Sequence, residues 1–358
     1  MLSLRFCLAL GSALVGFATN GHAHENHVES HSYEIPSEAV VIGEGAFKYR
    51  LIPGWAQHNS RQITLGEGKA IVEDSQGRIY HLNGSADHCV VVLSPTGKLI
   101  NAWGNFAPSA HGLNIVTEGD REVLFISENC ANGRIYKTSL DGKRLMTVSC
   151  PTESGLYPDP SMFRPAEIVP LPNGDFFVLD GYGSDYILRF NQEGTFLSAF
   201  GGDLGEGDAR LSHWGPHGAN IDWADPERPV LIVGLSDQEK IKRFRLDGSH
   251  LQTIHLPGSN PRDIYFHRDH LFVPHLGDDW PKTRNNPGYI SVMDYDFNIV
   301  ANLGASSAVY KDGHLVRMTH NQHAFHHPHG ILLASDGSLY VVQDASNKVW
   351  PMKFRPLD

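Results

Sequence analysis

Three histidines share one local setting: Ala110-His111-Gly112-Leu113, Pro216-His217-Gly218-Ala219 and Pro328-His329-Gly330-Ile331. They stand at nearly even intervals, each interval close to two copies of a repeat of roughly 40–55 residues. If six such repeats close into a ring, every second repeat presents an imidazole to the axis. Three neutral imidazoles a third of a turn apart make a three-coordinate metal site with one position open, the arrangement of a catalytic zinc. A single turn histidine at the start of a strand is ordinary; three in the same slot of alternate repeats act as a set. Tyr182 lies on the loop Asp180-Gly181-Tyr182, in the repeat between those of His111 and His217. A cation nearby would depress its pKa and let it take or give a proton.

The elements that must position these residues are short strands. In the third unit, Ala166-Glu167-Ile168-Val169, Asp175-Phe176-Phe177-Val178-Leu179, Tyr186-Ile187-Leu188-Arg189-Phe190 and Thr195 to Phe200 are separated by the turns Asn173-Gly174 and Gln192-Glu193-Gly194 and by the Asp180 loop. Nothing in that stretch has helical periodicity. The order recurs from Gly68, His111, near Arg164, His217, near Asn260 and His329. The turns Pro95-Thr96-Gly97, Leu140-Asp141-Gly142, Gln192-Glu193-Gly194 and Leu246-Asp247-Gly248 mark the last hairpin of the first four units. Four strands per repeat predict an all-β, six-bladed propeller over residues 39–358. The sixth unit stops after three strands, at Val349 to Phe354. Ala39–Ile42 or Tyr49–Ile52 is expected to supply the fourth and close the ring, which removes exposed sheet edges. Two insertions stretch the repeat, Pro274–Arg284 and Ala305–Phe325. Such loops tend to cover one face and carry binding residues.

The N-terminus reads as a secretory signal peptide over 1–23: Arg5, an apolar run from Phe6 to Ala18, and Gly21-His22-Ala23 before the expected cut. A polar linker follows over 24–38, and a secreted or periplasmic protein without a membrane span is expected. The formal charge is −11 with no basic cluster, which argues against nucleic acid or an anionic membrane as partner. Of 4 cysteines, Cys7 falls in the leader, leaving Cys89, Cys130 and Cys150. Either Cys130 and Cys150 are joined across neighbouring strands, or all three remain thiols. Asn83-Gly84-Ser85 fits an N-glycosylation sequon. Histidine is the unusual residue at 21, with His22, His24, His27 and His31 around the expected cut and His320, His323, His326 and His327 before His329.

The framework of His/Pro-x-Gly-apolar, strand, Asp-Gly-Tyr, strand resembles NHL-type propeller repeats. The run Val178-Leu179-Asp180-Gly181-Tyr182, then Phe196 to Gly201, then Pro216-His217-Gly218 is similar to peptidyl-α-hydroxyglycine α-amidating lyase. So is Pro328-His329-Gly330-Ile331 through Asp336-Gly337-Ser338-Leu339-Tyr340 to Val349-Trp350. The similarity covers roughly residues 65 to 354 and is weakest in the fifth unit. It implies a zinc ion held by His111, His217 and His329, Tyr182 as catalytic base, and cleavage of a carbinolamide-type substrate into an amide and glyoxylate. It also implies a structural Ca2+, but the aspartate associated with that ion is Gly330 here. Two substrate-clamping arginines of the family fall on Leu82 and Ser236. Losing a bidentate carboxylate clamp is not a conservative change.

Arg61, Arg164 and Arg262 are the arginines that can replace the clamp, the latter two near the slot that histidine holds in other units. His275, with Asp278 and Asp279, and His326 are further substrate-binding candidates. The leading expectation is therefore an exported, zinc-dependent lyase-like enzyme acting on a small-molecule or peptide substrate. The alternative is a non-catalytic NHL propeller module that binds a protein, peptide or carbohydrate partner. A lactonase-like metallohydrolase fits less well, because such propellers build their site from Glu, Asn and Asp rather than from histidines of alternate blades.

Overall fold

The structure, a computed structural model, describes residues 33–277, 286–319 and 324–357. The expected signal peptide, most of the polar linker, and His22, His24, His27, His31, Asp278, Asp279, His320 and His323 lie outside the described residues. Among the described residues the only helices are short 3-10 turns, and no helix is long and apolar enough to cross a membrane. The protein is a six-bladed β-propeller of antiparallel sheets, as its repeats predict.

Blade 1 comprises strands Gly68–Glu73, Ile79–Asn83, Val90–Leu93 and Leu99–Trp103. Blade 2 comprises Ala110–Glu118, Arg121–Glu128, Arg134–Ser139 and Arg144–Val148, and blade 3 Glu167–Pro170, Phe176–Leu179, Tyr186–Phe190 and Phe196–Gly201. Blade 4 follows with Pro216–Asp222, Val230–Leu235, Lys240–Arg245 and His250–His255, and blade 5 with Tyr265–His267, His270–His275, Tyr289–Met293 and Ile299–Leu303. Blade 6 takes Pro328–Leu333, Leu339–Gln343 and Met352–Pro356 from the C-terminal end. Tyr49–Leu51 pairs with Met352–Pro356 as its fourth strand, and Val41–Ile42 adds a fifth outside it. Both N-terminal segments that the sequence offered for closure are thus used.

Each blade is a sheet sandwiched between two others, so its middle strands are apolar on both faces; Val90–Leu93 and Phe176–Leu179 are buried throughout. Six apolar clusters fill the six gaps. Leu82, Val90 and Val92 of blade 1 meet Leu113, Leu124 and Ile126 of blade 2, for example, and Leu332, Tyr340 and Val342 of blade 6 meet Ile71, Ile79 and Val91 of blade 1. The last of these is the contact that makes the ring closed. Gly97, Gly142, Gly194 and Gly248 all adopt positive φ in the outer hairpin turns, a conformation that side chains resist.

His81 departs from this pattern. It pairs with Ile71 and Val91 in a strand where the corresponding positions are Ile126, Val178, Val233 and Val341. Its side chain is fully buried, and although the Ala70 backbone acts on the ring, neither nitrogen reaches full hydrogen-bonding geometry. Burying a polar group without a partner costs on the order of 1–3 kcal/mol. His81→Val is therefore expected to stabilise the protein by about 1 kcal/mol, seen as an upward shift in thermal midpoint. A fall in the midpoint would show that the imidazole has a partner that matters.

The remaining sequence expectations resolve simply. Cys89, Cys130 and Cys150 are all free, so the Cys130–Cys150 bridge is not formed. The sequon is unusable in the folded chain: Asn83 is fully buried, and its Nδ2 donates to the carbonyls of His88 and Cys89.

Candidate functional site

The three histidines begin the innermost strands of blades 2, 4 and 6, where a register shift lifts each out of its ladder. In every case the Nδ1 faces a main-chain oxygen of the next blade: His111 to Ala166 (2.9 Å), His217 to Arg262 (2.8 Å) and His329 to Lys69 (2.7 Å). A carbonyl can only accept, so each Nδ1 carries the proton and each Nε2 turns a lone pair inward. The His-Gly pair follows from the same contact. A Cβ at Gly112, Gly218 or Gly330 would run into the carbonyl oxygens of Ala166, Arg262 and Lys69 respectively. The glycine leaves room for the oxygen that orients the preceding imidazole.

The rings converge with centroids 4.8, 4.8 and 4.9 Å apart, all three are buried, and one nitrogen from each lies within 4.8 Å of the others. The sequence-derived trio is therefore one group. Among the described residues one side-chain proton serves it. The Tyr182 hydroxyl lies 3.1 Å from His111 Nε2 and 2.8 Å from His217 Nε2, and it can donate to one of them at most, while His329 Nε2 is buried with no partner. At least two inward lone pairs thus lack a donor, the chemistry of a cation site. Tetrahedral bonds of about 2.0–2.1 Å need only a modest closing of the rings.

Tyr182 is held by a tight loop after Phe176–Leu179. Buried Asp180 accepts from the backbone N–H groups of Arg164 (2.6 Å) and Ser184 (2.8 Å) and from the Tyr157 hydroxyl (2.8 Å). Burial pushes Asp180 up to about 7 despite those donors. Gly181 is required because a Cβ there would overlap the Pro216 carbonyl, one residue before His217. Burial drives the Tyr182 phenol well above the ordinary tyrosine value, and the charges of Arg262 and Arg164 pull it back. Alone, the phenol stays protonated near neutrality; a divalent cation on the histidines is the group that would bring it down.

Going round the axis, the slots between the histidines are filled by Lys69 in blade 1, Ala166 in blade 3 and Arg262 in blade 5. Arg262 is almost fully buried with an unpartnered Nε, and its charge bears on Tyr182, His217 and His329. Arg164 likewise has a buried, unpartnered Nε. Lys69 pairs with Asp344 at 2.5 Å. Burial works against the charge of Asp344, but Lys69 and His329 outweigh it and hold its carboxyl well below the usual range. Lys69 and Asp344 were not singled out from sequence. Writing Gly68-Lys69-Ala70-Ile71 beneath Ala110-His111-Gly112-Leu113 is the signal that finds the lysine.

Other expected residues make contacts of their own. Arg61 ends an exposed 3-10 turn, Gln57–Arg61, whose Asn59 docks on Gly97 at the outer hairpin of blade 1. His275 is buried inside blade 5, with Nε2 3.1 Å from Ser291 Oγ and its ring stacked on Tyr289. His326 stacks on His327 and Tyr33, and its N–H donates to Gln343 Oε1. Ser236 donates to the Pro261 carbonyl, and Leu82 is buried between blades 1 and 2, so neither takes up a clamp. For the structural calcium, Gly330 brings no carboxylate.

Burial depresses all three imidazoles, His329 to about 3 and His111 and His217 well below the usual value. Protons then compete for the inward nitrogens only well below the ordinary histidine range near 6.5. A metal bound here is expected to survive dialysis at pH 5 as fully as at pH 7.5. Half-release near pH 6.5, measured by metal analysis of the dialysed protein, would contradict this reading.

No family model matches the chain. Peptidyl-alpha-hydroxyglycine alpha-amidating lyase 1 of Drosophila melanogaster is 31% identical over 117 residues, a stretch that covers 31% of this chain and 20% of the fly protein. The match thus takes in about a fifth of that relative's length. Among solved structures, a streptogramin B lyase is 17% identical with a TM-score of 0.52, covering 82% of this chain and 95% of that one. A gluconolactonase from Xanthomonas campestris is 12% identical with a TM-score of 0.57, covering 90% and 97%. At these identities the two structures speak for the propeller fold alone. The chain is a propeller with one stretch similar to an amidating lyase.

Proposed function

We propose that this protein is an exported, zinc-dependent lyase that cleaves a carbinolamide-type substrate, with His111, His217 and His329 as ligands and Tyr182 as base. The observation that carries the reading is the convergence of three Nδ1-protonated imidazoles whose inward lone pairs have, among the described residues, at most one side-chain proton between them. The similarity to an amidating lyase supports the substrate class, and the leader-like N-terminus supports export. When bound, zinc supplies a Lewis acid that stabilises negative charge on a substrate oxygen.

The chain's own groups supply the rest. Tyr182 accepts the proton of the carbinol hydroxyl; the C–O bond becomes a carbonyl as the C–N bond breaks, and the departing amide nitrogen takes up a proton. The products are an amide and a glyoxylate-type aldehyde. Arg262 and Arg164, the cations that bear on Tyr182, favour its deprotonated form. The third alternate slot, Ala166, is small, which leaves the sector between His111 and His217 to the phenol.

Purified protein tests this directly. One zinc per chain, together with release of glyoxylate from a peptide ending in α-hydroxyglycine, is the expected result. Zinc without turnover would sink the substrate assignment and leave other metal chemistry. Absence of a transition metal would favour the binding module.

A further inference from the structure

Lys69 stands in the inner slot of blade 1, between the ligand blades of His329 and His111. Its carbonyl oxygen orients His329, but its side chain has a separate task to account for. The ammonium uses one N–H on Asp344 and has two more to give. Together with His111 it lines a cavity of about 470 Å³ between blades 1 and 2. Ser85, Ser109, Asn129 and Lys348 form other parts of the wall with the carboxylates of Glu67 and Asp87 and apolar Leu65 and Pro108, so the cavity is of mixed character and leads to His111. Asn129 adds a second open valence, because its Oδ1 is buried with no partner. One wall thus offers N–H donors with a positive charge, and another offers an unmet acceptor. The complementary ligand carries an anionic oxygen and, close to it, an N–H or O–H.

We infer that Lys69 is the specificity residue of this centre, recognising the anionic oxygen of a ligand that approaches through the blade 1–2 cavity, while Asn129 accepts that ligand's N–H or O–H. The inference rests on the metal-centre reading above for its location. A small 2-hydroxycarboxylate has the required pattern, and its uncharged amide is the natural control. Asp344 fixes the ammonium so that little side-chain freedom is lost when the ligand arrives. The slot's main-chain role with His329 does not depend on the side chain, so Lys69 can be changed without removing the hydrogen bond that orients a ligand.

The test is calorimetric titration of the full chain with glycolate and with glycolamide, alongside metal analysis and a thermal melt of each variant. Wild type is expected to bind glycolate at least about tenfold more tightly than glycolamide. Lys69→Met should abolish that preference at unchanged metal content, and Lys69→Arg should restore part of it. If Lys69→Met binds glycolate as wild type does, or if Arg262→Gln alone removes the preference while Lys69→Met keeps it, the inference is overturned. Should the wild-type chain hold no metal, the metal-centre reading fails. The same titrations on metal-free protein then decide about Lys69: a salt-sensitive preference lost in Lys69→Met sustains it, and equal binding of the two probes overturns it. If Lys69→Met does not fold, the Lys69→Arg and Arg262→Gln titrations stand in its place. A preference untouched by Lys69→Arg but removed by Arg262→Gln then counts against the lysine.

Discussion

His217→Ala protein is expected to purify folded but without its metal. The side chain it loses is one of the three proposed ligands, and among the described residues no fourth donor joins that group. The structural loss is small by comparison. Two hydrogen bonds disappear, from His217 Nδ1 to the Arg262 carbonyl and between Nε2 and the Tyr182 hydroxyl, and such bonds contribute about 1 kcal/mol each. The inner strand Pro216–Asp222 keeps its pairing with Val230–Leu235, because the histidine lies at the register shift rather than within the ladder. Removing even an outer-shell partner of a metal ligand costs about 10–100-fold in metal affinity, so deleting a ligand should cost well over 100-fold. Metal analysis should fall from one ion per chain to a trace, and turnover with it. A variant that retains stoichiometric zinc would end the three-histidine assignment.

Tyr182→Phe separates proton transfer from metal binding. The ring stays, with its edge contacts to His111 and His217, and only the hydroxyl between their Nε2 atoms is lost. Metal content should therefore remain at one per chain. General acid–base groups contribute roughly 10²–10⁴-fold, so kcat is expected to fall by that amount while KM changes little. The limb of the pH–rate profile that reports deprotonation of the base should vanish with it. A variant within about threefold of wild-type kcat would assign the phenol to packing, and the base would have to be sought elsewhere.

The architecture was legible in the sequence because its signals repeat. Gly97, Gly142, Gly194 and Gly248 punctuate the same hairpin four times, and the inner-strand motif recurs at His111, His217 and His329. A repeat also turns sequence spacing into angle, which is why three distant histidines could be placed together before any coordinates. Closure was less determined. Two apolar N-terminal segments both suited the missing strand, and only packing showed that Tyr49–Leu51 lies inside Val41–Ile42. Residues chosen by type rather than by slot fall in settings of their own. Arg61 carries the right charge but sits at the outer rim of blade 1. His275 lies on the second strand of its blade, where its ring is absorbed by Ser291 and Tyr289. Lys69 was passed over because nothing local marks it; its meaning comes from alignment with histidines in other blades. Asn83 shows the same limit, since a sequon says nothing of whether its amide is already spent.

Because backbone oxygens, not side chains, fix the tautomer of each imidazole, the side chains at positions 69, 166 and 262 can differ without loss of those hydrogen bonds. An ammonium, a methyl and a guanidinium occupy them here, yet all three contribute the same C=O to the centre. On the proposed reading, exchanging those three side chains alters the charge around the centre while every imidazole keeps the carbonyl that aims it.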